Sequence, residues 1–293
     1  MIYLTNSFYL VDVFAEDKLQ GNQLAVFLNE TDVSAETMQK IALEMNFSET
    51  TFITGIDLIN NVFKVRIFTT TSELPFAGHP TLGTAFIIQQ SILKKKVPEL
   101  TLDLKAGKIP VKITYGGDIP DVLWMKQLNP QFGPIHDFQK IADLLGIRLE
   151  DIDTRLPVQD VSTGVWFTMI PIKTRQILSS IRSTSKLLNY LREPEARTPF
   201  IFCTDPIDPR NQVKVRLIGA GREDPATGSA NGCLAGYLVK YRVLGTSKID
   251  IRVEQGIEIN RPSLLYLKAE EKDSEIDVKV GGKVFMIAKG ELL

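Results

Sequence analysis

KVRIFTTTSELPFAGHPTLGTAF, residues 64–86, and KVRLIGAGREDPATGSANGCLAG, residues 214–236, are two copies of one pattern. Laid over each other without a gap, Lys64, Val65, Arg66, Glu73, Pro75, Gly78 and Ala85 recur as Lys214, Val215, Arg216, Glu223, Pro225, Gly228 and Ala235. Self-similarity at a fixed spacing is the mark of a duplicated structural unit. The same spacing lays the helical stretch 34–46 on 185–195, and Thr51-Phe52-Ile53-Thr54 on Ile201-Phe202-Cys203-Thr204. Each half therefore reads as helix, strand, long strand, glycine-proline loop and small-residue helix. The simplest architecture is two similar α+β domains related by a pseudo-two-fold axis. The boundary falls near Gly117–Asp121, giving domains over 1–118 and 119–282, with the final stretch 283–293 a candidate to rejoin the first.

Strands dominate the remainder. Residues 7–14, 23–28, 61–68, 122–128 and 248–253 are rich in β-branched and aromatic side chains. Residues 100–115 read as a hairpin turning at Ala106-Gly107, and 275–288 as another turning at Gly281-Gly282. Hairpins favour antiparallel sheets over a repeated βαβ pattern. Four helices stand out. Residues 34–46 place Met38, Ile41, Ala42 and Met45 on one face behind an N-cap Ser34. Residues 137–146 start on Asp137 and stop on Gly146. Residues 80–90 and 229–241, the latter with Ser229 as N-cap, are poor in charge and rich in Ala and Gly. Helices of that composition need enclosure by sheet, where small residues permit close approach.

Composition narrows the function. The 293 residues carry Lys+Arg 34 against Asp+Glu 35, a net charge of −1, with 44% hydrophobic and 24% charged residues. That balance gives no electrostatic footprint for nucleic acid or an anionic membrane, and Lys94-Lys95-Lys96 reads as a solvated helix end. Cys203 and Cys233 form no CxxC, and His79 and His136 no HExxH, so no metal is expected. GAGRED (219–224) has Asp224 where a dinucleotide fingerprint needs its third glycine, and no other cofactor motif is present. With no membrane-length apolar run and no signal-like N-terminus, the expected location is cytoplasmic.

The two glycine-proline loops each open a helix, and helix N-termini offer free N–H groups and about half a positive charge. A pseudo-dyad would bring both to one cleft suited to a small anionic substrate. The loops are not equivalent: Gly78-His79 faces Gly228-Ser229, and Leu74 faces Asp224. His79 reads either as a cap or as a neutral imidazole kept so by the helix N-terminus. Glu49, whose counterpart is Pro199, reads from the residues alone as a solvated carboxylate at a helix–strand junction; Glu44 reads as surface.

GNQLAVF (21–27), MNFSETTF (45–52), FAGHPTLGTAF (76–86) and EDPATGSANG (223–232) make the chain resemble the phenazine-biosynthesis PhzF-like family. The first departs slightly, with Gln23 where that pattern has Pro. The resemblance implies a diaminopimelate-epimerase-like fold: two pseudo-symmetric α+β domains, each a rolled, mainly antiparallel sheet around a central helix. It implies a cofactor-independent isomerase that moves a proton and a double bond, acting as a homodimer. It assigns acid/base transfer to Glu49 and substrate binding to His79, Asp224, Ser229, Gly78 and Gly228. Two rivals share the fold. An amino-acid racemase would place one cysteine in each loop, but Ala77 and Asp224 stand at about those places. A non-catalytic binding or scaffold protein would need none of Glu49, His79, Asp224 or Ser229.

Overall fold

A computed structural model describes residues 6–28, 33–219 and 221–292. The chain divides into two compact units, Met1–Met125 with Gly281–Leu293, and Lys126–Val280.

The first unit runs β1 (Asn6–Val13), β2 (Asn22–Leu28), α1 (Ala35–Met45), β3 (Thr50–Asp57), β4 (Val62–Phe68), β5 (Glu73–Leu74), α2 (Gly78–Ile87), β6 (Glu99–Leu104), β7 (Gly107–Gly116) and β8 (Ile119–Lys126). β1 pairs antiparallel with β2, β2 parallel with β3, and β3 antiparallel with β4. β4 carries β5 on one stretch and pairs parallel with β6, which turns back into β7. The sheet has helices on both faces. Period-two alternation sends Phe52 to α1, where it joins Phe27, Phe68, Met38 and Ile41. Its neighbour Thr51 points the other way and meets Thr84 of α2 at 2.8 Å. Each fully buried large apolar side chain of this kind contributes about 1.5–3 kcal/mol. α1 is bounded by its Ser34 N-cap and by Asn46 in the left-handed region at φ 54°.

α2 is the central helix of this unit. Every residue from His79 to Ile87 is buried, and it packs against β1, β2 and β3. Gly83 explains how a helix can sit so close to the sheet: a Cβ there would lie 2.6 Å from Leu24 and 2.8 Å from Val13. The helix continues as a π-helical turn over Ile88–Leu93 and stops at Lys94, φ 51°. Lys94, Lys95 and Lys96 are exposed, as a solvated helix end should be.

The second unit repeats the order. It contains β9 (Gln131–Ile135), α3 (Phe138–Leu145), β10 (Gln159–Ser162), β11 (Trp166–Pro171), α4 (Arg175–Ser180), α5 (Ser185–Tyr190), β12 (Thr198–Cys203), β13 (Val213–Ile218), β14 (Glu223–Asp224), α6 (Gly228–Lys240), β15 (Lys248–Gln255), β16 (Ser263–Lys272) and β17 (Glu275–Gly282). The pairing pattern repeats as well: β10 antiparallel to β11, β11 parallel to β12, β12 antiparallel to β13, β13 parallel to β15, and β15 antiparallel to β16. α6 is the buried central helix, packed on β10, β11, β15 and β16. Gly236 lets Pro130 approach to where a Cβ would be 2.5 Å away. The opposite face carries a core of Ile141, Leu145, Ile170, Leu178, Leu187 and Ile201.

The repeat is visible in side chains too. Arg66 holds Glu73 by two bonds of 2.8 and 2.9 Å, and Arg216 holds Glu223 by two of 2.8 and 2.7 Å. Each pair staples the two-residue strand that precedes a central helix onto the long strand beside it.

Three local expectations need correction. The first hairpin turns on Lys105-Ala106, because Leu104 pairs with Gly107. Gly281 and Gly282 make no turn. β17 is followed after one residue by β18 (Val284–Leu292), which runs antiparallel to β1 along its length. These glycines serve close approach: a Cβ would meet the Trp124 ring at 2.6 Å from Gly281 and the Phe14 ring at 2.3 Å from Gly282. Ser229 is not the N-cap of α6; Thr227 holds that position and Ser229 lies inside the first turn. Gly117-Asp118 forms the tip of the β7–β8 hairpin, with Gly117 at φ 68°.

Candidate active site

Glu49 and His79 come together in the first unit. The left-handed Asn46 ends α1 and turns the chain toward β3, so Glu49 sits immediately before that strand. His79 lies in the first turn of α2. The buried Thr51–Thr84 hydroxyl contact ties β3 to α2 and so fixes the two against each other. Glu49 Oε2 stands 3.4 Å from His79 Nε2, with side chains only 18% and 7% exposed.

Burial drives the His79 imidazole down to about 3, opposed by a hydrogen bond to the Gln23 backbone. His79 is therefore neutral at physiological pH. Its Nε2 makes no hydrogen bond among the described residues, so the bond to the Gln23 backbone belongs to Nδ1, whose N–H donates to that carbonyl. This leaves an Nε2 lone pair facing the Glu49 carboxyl group, an arrangement that a proton carried by Glu49 completes. Gln23 takes part through its carbonyl while its side chain is exposed, so its identity is immaterial to this contact.

In the second unit, Asp224, Gly228 and Ser229 share one loop and turn. Asp224 ends β14; Gly228 and Ser229 open α6. The Thr227 hydroxyl donates to Asp224 Oδ2 at 2.5 Å. Neither α2 nor α6 has a side-chain cap at its N-terminus. The N–H groups of Gly78 and Gly228 thus belong to uncapped, positively polarised helix ends.

The cysteines do not resemble catalytic thiols. Both are buried, and burial pushes each up to about 11. Cys203 belongs to the core of the second unit. Cys233 lies inside α6 against Thr163 and Val165. Among the described residues, no group of three or more His, Cys, Asp or Glu side chains is placed to hold a metal, and no helix is long and apolar enough to cross a membrane.

Sequence reasoning missed Gln255, whose amide clamps the Asp224–Asn231 loop through four hydrogen bonds. Nothing in the linear sequence links a glutamine at the end of β15 to a loop so far upstream.

The profile of the PhzC-PhzF family, phenazine biosynthesis-like proteins, matches residues 11–290. The chain belongs to this family. Among its PhzC-PhzF relatives, an uncharacterized isomerase of Pasteurella multocida is 33% identical, over 98% of this chain and 93% of that one. The trans-2,3-dihydro-3-hydroxyanthranilate isomerase of Pseudomonas aeruginosa is 30% identical, over 95% of this chain and 96% of that one. The crystal structure of a PhzF-family protein from Bacillus anthracis superposes with a TM-score of 0.89 at 23% identity, covering 99% of both chains. The PhzF fold, of the diaminopimelate-epimerase-like class, is thus observed, and the chain is an isomerase of the PhzC-PhzF family.

Proposed function

We propose that the chain is a cofactor-independent isomerase in which Glu49 removes a proton from a substrate carbon and returns it at another carbon, shifting a double bond. The observation that carries this reading is the half-buried Glu49 carboxyl group set against a neutral His79 at the uncapped start of α2. A carboxyl group can act first as base and then as acid, and enclosure strengthens both roles by keeping bulk water away. The neutral His79 can hold the Glu49 proton through Nε2 between the two steps. Asp224, Ser229 and the N–H groups of Gly78 and Gly228 bind a small carboxylate-bearing substrate; helix N-termini suit that charge. The substrate named for the Pseudomonas aeruginosa relative, trans-2,3-dihydro-3-hydroxyanthranilate, is the first to test. The family resemblance further supports a homodimer, which sedimentation analysis checks.

Glu49→Gln keeps the shape and an acceptor oxygen but cannot take the proton. Turnover of trans-2,3-dihydro-3-hydroxyanthranilate should fall by at least about 10²-fold, the lower range for loss of a general base. The melting temperature should change little. In deuterium oxide, single-turnover wild-type product should keep substrate-derived protium at the reprotonated carbon, because Glu49 returns the proton it removed. Near-full activity in Glu49→Gln together with complete loss in Asp224→Asn would move the base to Asp224.

A further inference from the structure

We propose that Gln255 and Thr227 form a directed hydrogen-bond relay that fixes the orientation of the Asp224 carboxyl group, making both positioning residues for the isomerase reaction. The proposal rests on the reading of Asp224 as a substrate-binding group. Gln255, the last residue of β15, is wholly buried. Its Oε1 accepts from the Thr227 backbone N–H at 3.1 Å and from Asn231 Nδ2 at 3.0 Å. Its Nε2 donates to the Asp224 carbonyl at 3.0 Å and to Thr227 Oγ1 at 3.0 Å. Both donors and both acceptor sites of the amide are in use. Its orientation is not open to reversal, because a backbone N–H can only donate and a carbonyl can only accept.

That fixed orientation dictates the next link. Thr227 Oγ1 receives a hydrogen from Gln255, so its own hydrogen goes to Asp224 Oδ2, 2.5 Å away. A hydroxyl donating to a carboxylate over so short a distance is a strong, charge-assisted bond. Gly256 presses the strand end onto the same loop: at φ +76° it lies so near Pro225 that a Cβ would be 2.6 Å from the Pro225 carbonyl oxygen.

The duplication supplies a control. Thr81 Oγ1 bonds to the Ala77 carbonyl in the first unit, as Asn231 Nδ2 bonds to that of Thr227 in the second. There, however, Leu74 stands at the place of Asp224, and by strand register the buried, apolar Leu104 stands at that of Gln255. A clamp needed only to build this loop would be present in both units. It occurs with the carboxylate and is missing where the carboxylate is missing.

The test uses Thr227→Val, which removes the hydroxyl at near-constant volume, Thr227→Ser, which restores it, and Gln255→Glu, which replaces the donor with an acceptor. With trans-2,3-dihydro-3-hydroxyanthranilate as probe, Thr227→Val and Gln255→Glu should each lose at least about 10-fold in kcat/KM, the worth of one charge-assisted hydrogen bond. Thr227→Ser should stay close to wild type. The double variant Thr227→Val/Gln255→Glu should be no worse than the poorer single one. In parallel, carbon-13 NMR follows the titration of Asp224 without any substrate: its midpoint should rise in Thr227→Val and not in Thr227→Ser. An unchanged midpoint in Thr227→Val overturns the relay. If the wild type does not turn over the probe while the midpoint moves as stated, the relay stands and the assigned reaction is what fails. Should Gln255→Glu not fold, the two Thr227 variants decide the question alone.

Discussion

His79 is held neutral by burial, and this makes a stability prediction whose sign can be worked out. In the unfolded chain the imidazole takes up a proton near its ordinary value of 6.5; in the folded chain it resists until about 3. Between those values the unfolded state binds more protons, so acid favours unfolding. The His79 contribution is therefore fully present above about pH 6.5 and is lost progressively as the pH falls toward 3. Urea unfolding of wild type and His79→Gln at a series of pH values should show their stability difference moving against the wild type across that window. A flat difference would mean that the native imidazole titrates near its ordinary value. At this scale the sequence told an uneven story. The motifs around Glu49, His79 and Asp224 are distinctive, and the helix-terminal position of His79 already pointed to a neutral ring. Gln255 was illegible because a buried amide is recognised only by the groups that surround it. Ser229 was misread as a cap because Ser at a helix start is a favoured capping residue, whereas the N-cap position falls two residues earlier at Thr227, whose hydroxyl is turned to Asp224 instead.

Short staples around β5 and β14 separate burial from chemistry. Arg66–Glu73 and Arg216–Glu223 have the same bidentate geometry, but their side chains are 32% and 23% exposed in the first pair against 4% and 8% in the second. Breaking the buried pair leaves an uncompensated charge, which costs about 3–5 kcal/mol, whereas an accessible pair is worth about 1 kcal/mol or less. Glu223→Gln should accordingly destabilise far more than Glu73→Gln in denaturant titrations; equal losses would contradict this. A second contrast concerns glycine. Gly83→Ala must push Leu24 or Val13 away from α2, an overpacking cost of about 1–3 kcal/mol. Gly107 has open space around its Cβ direction, so Gly107→Ala should suffer only from its positive φ of 118°. Comparing the two melting temperatures tests whether close approach is what α2 requires. Element types were largely legible because strands and capped helices announce themselves locally. The Gly281-Gly282 pair misled because glycine serves both turns and close packing, and only the positions of Trp124 and Phe14 tell the two uses apart.

At the scale of the whole molecule, the duplication was readable because it is written in ungapped identities. The final stretch 283–293 was a candidate to rejoin the first domain, but its register on β1 was not readable, since strand pairing between distant segments leaves no local trace. β18 lies against β1 from Asn6–Leu292 to Val13–Val284. A chain stopped after Gly282 should lose hydrogen-exchange protection throughout β1 and β2, while β12, β13 and α6 keep theirs; uniform loss would show that the two units do not hold their structure separately. The same pairing reverses the usual order of events during synthesis. Domains ordinarily fold from the N-terminus as they emerge at about 5–20 residues per second. Here the first unit waits for a strand translated after every residue of the second. The first half of the nascent polypeptide must therefore leave the ribosome with one sheet margin open. The second half, although made later, is the first to be able to close, and chaperone engagement should concentrate on the N-terminal segment until β18 arrives.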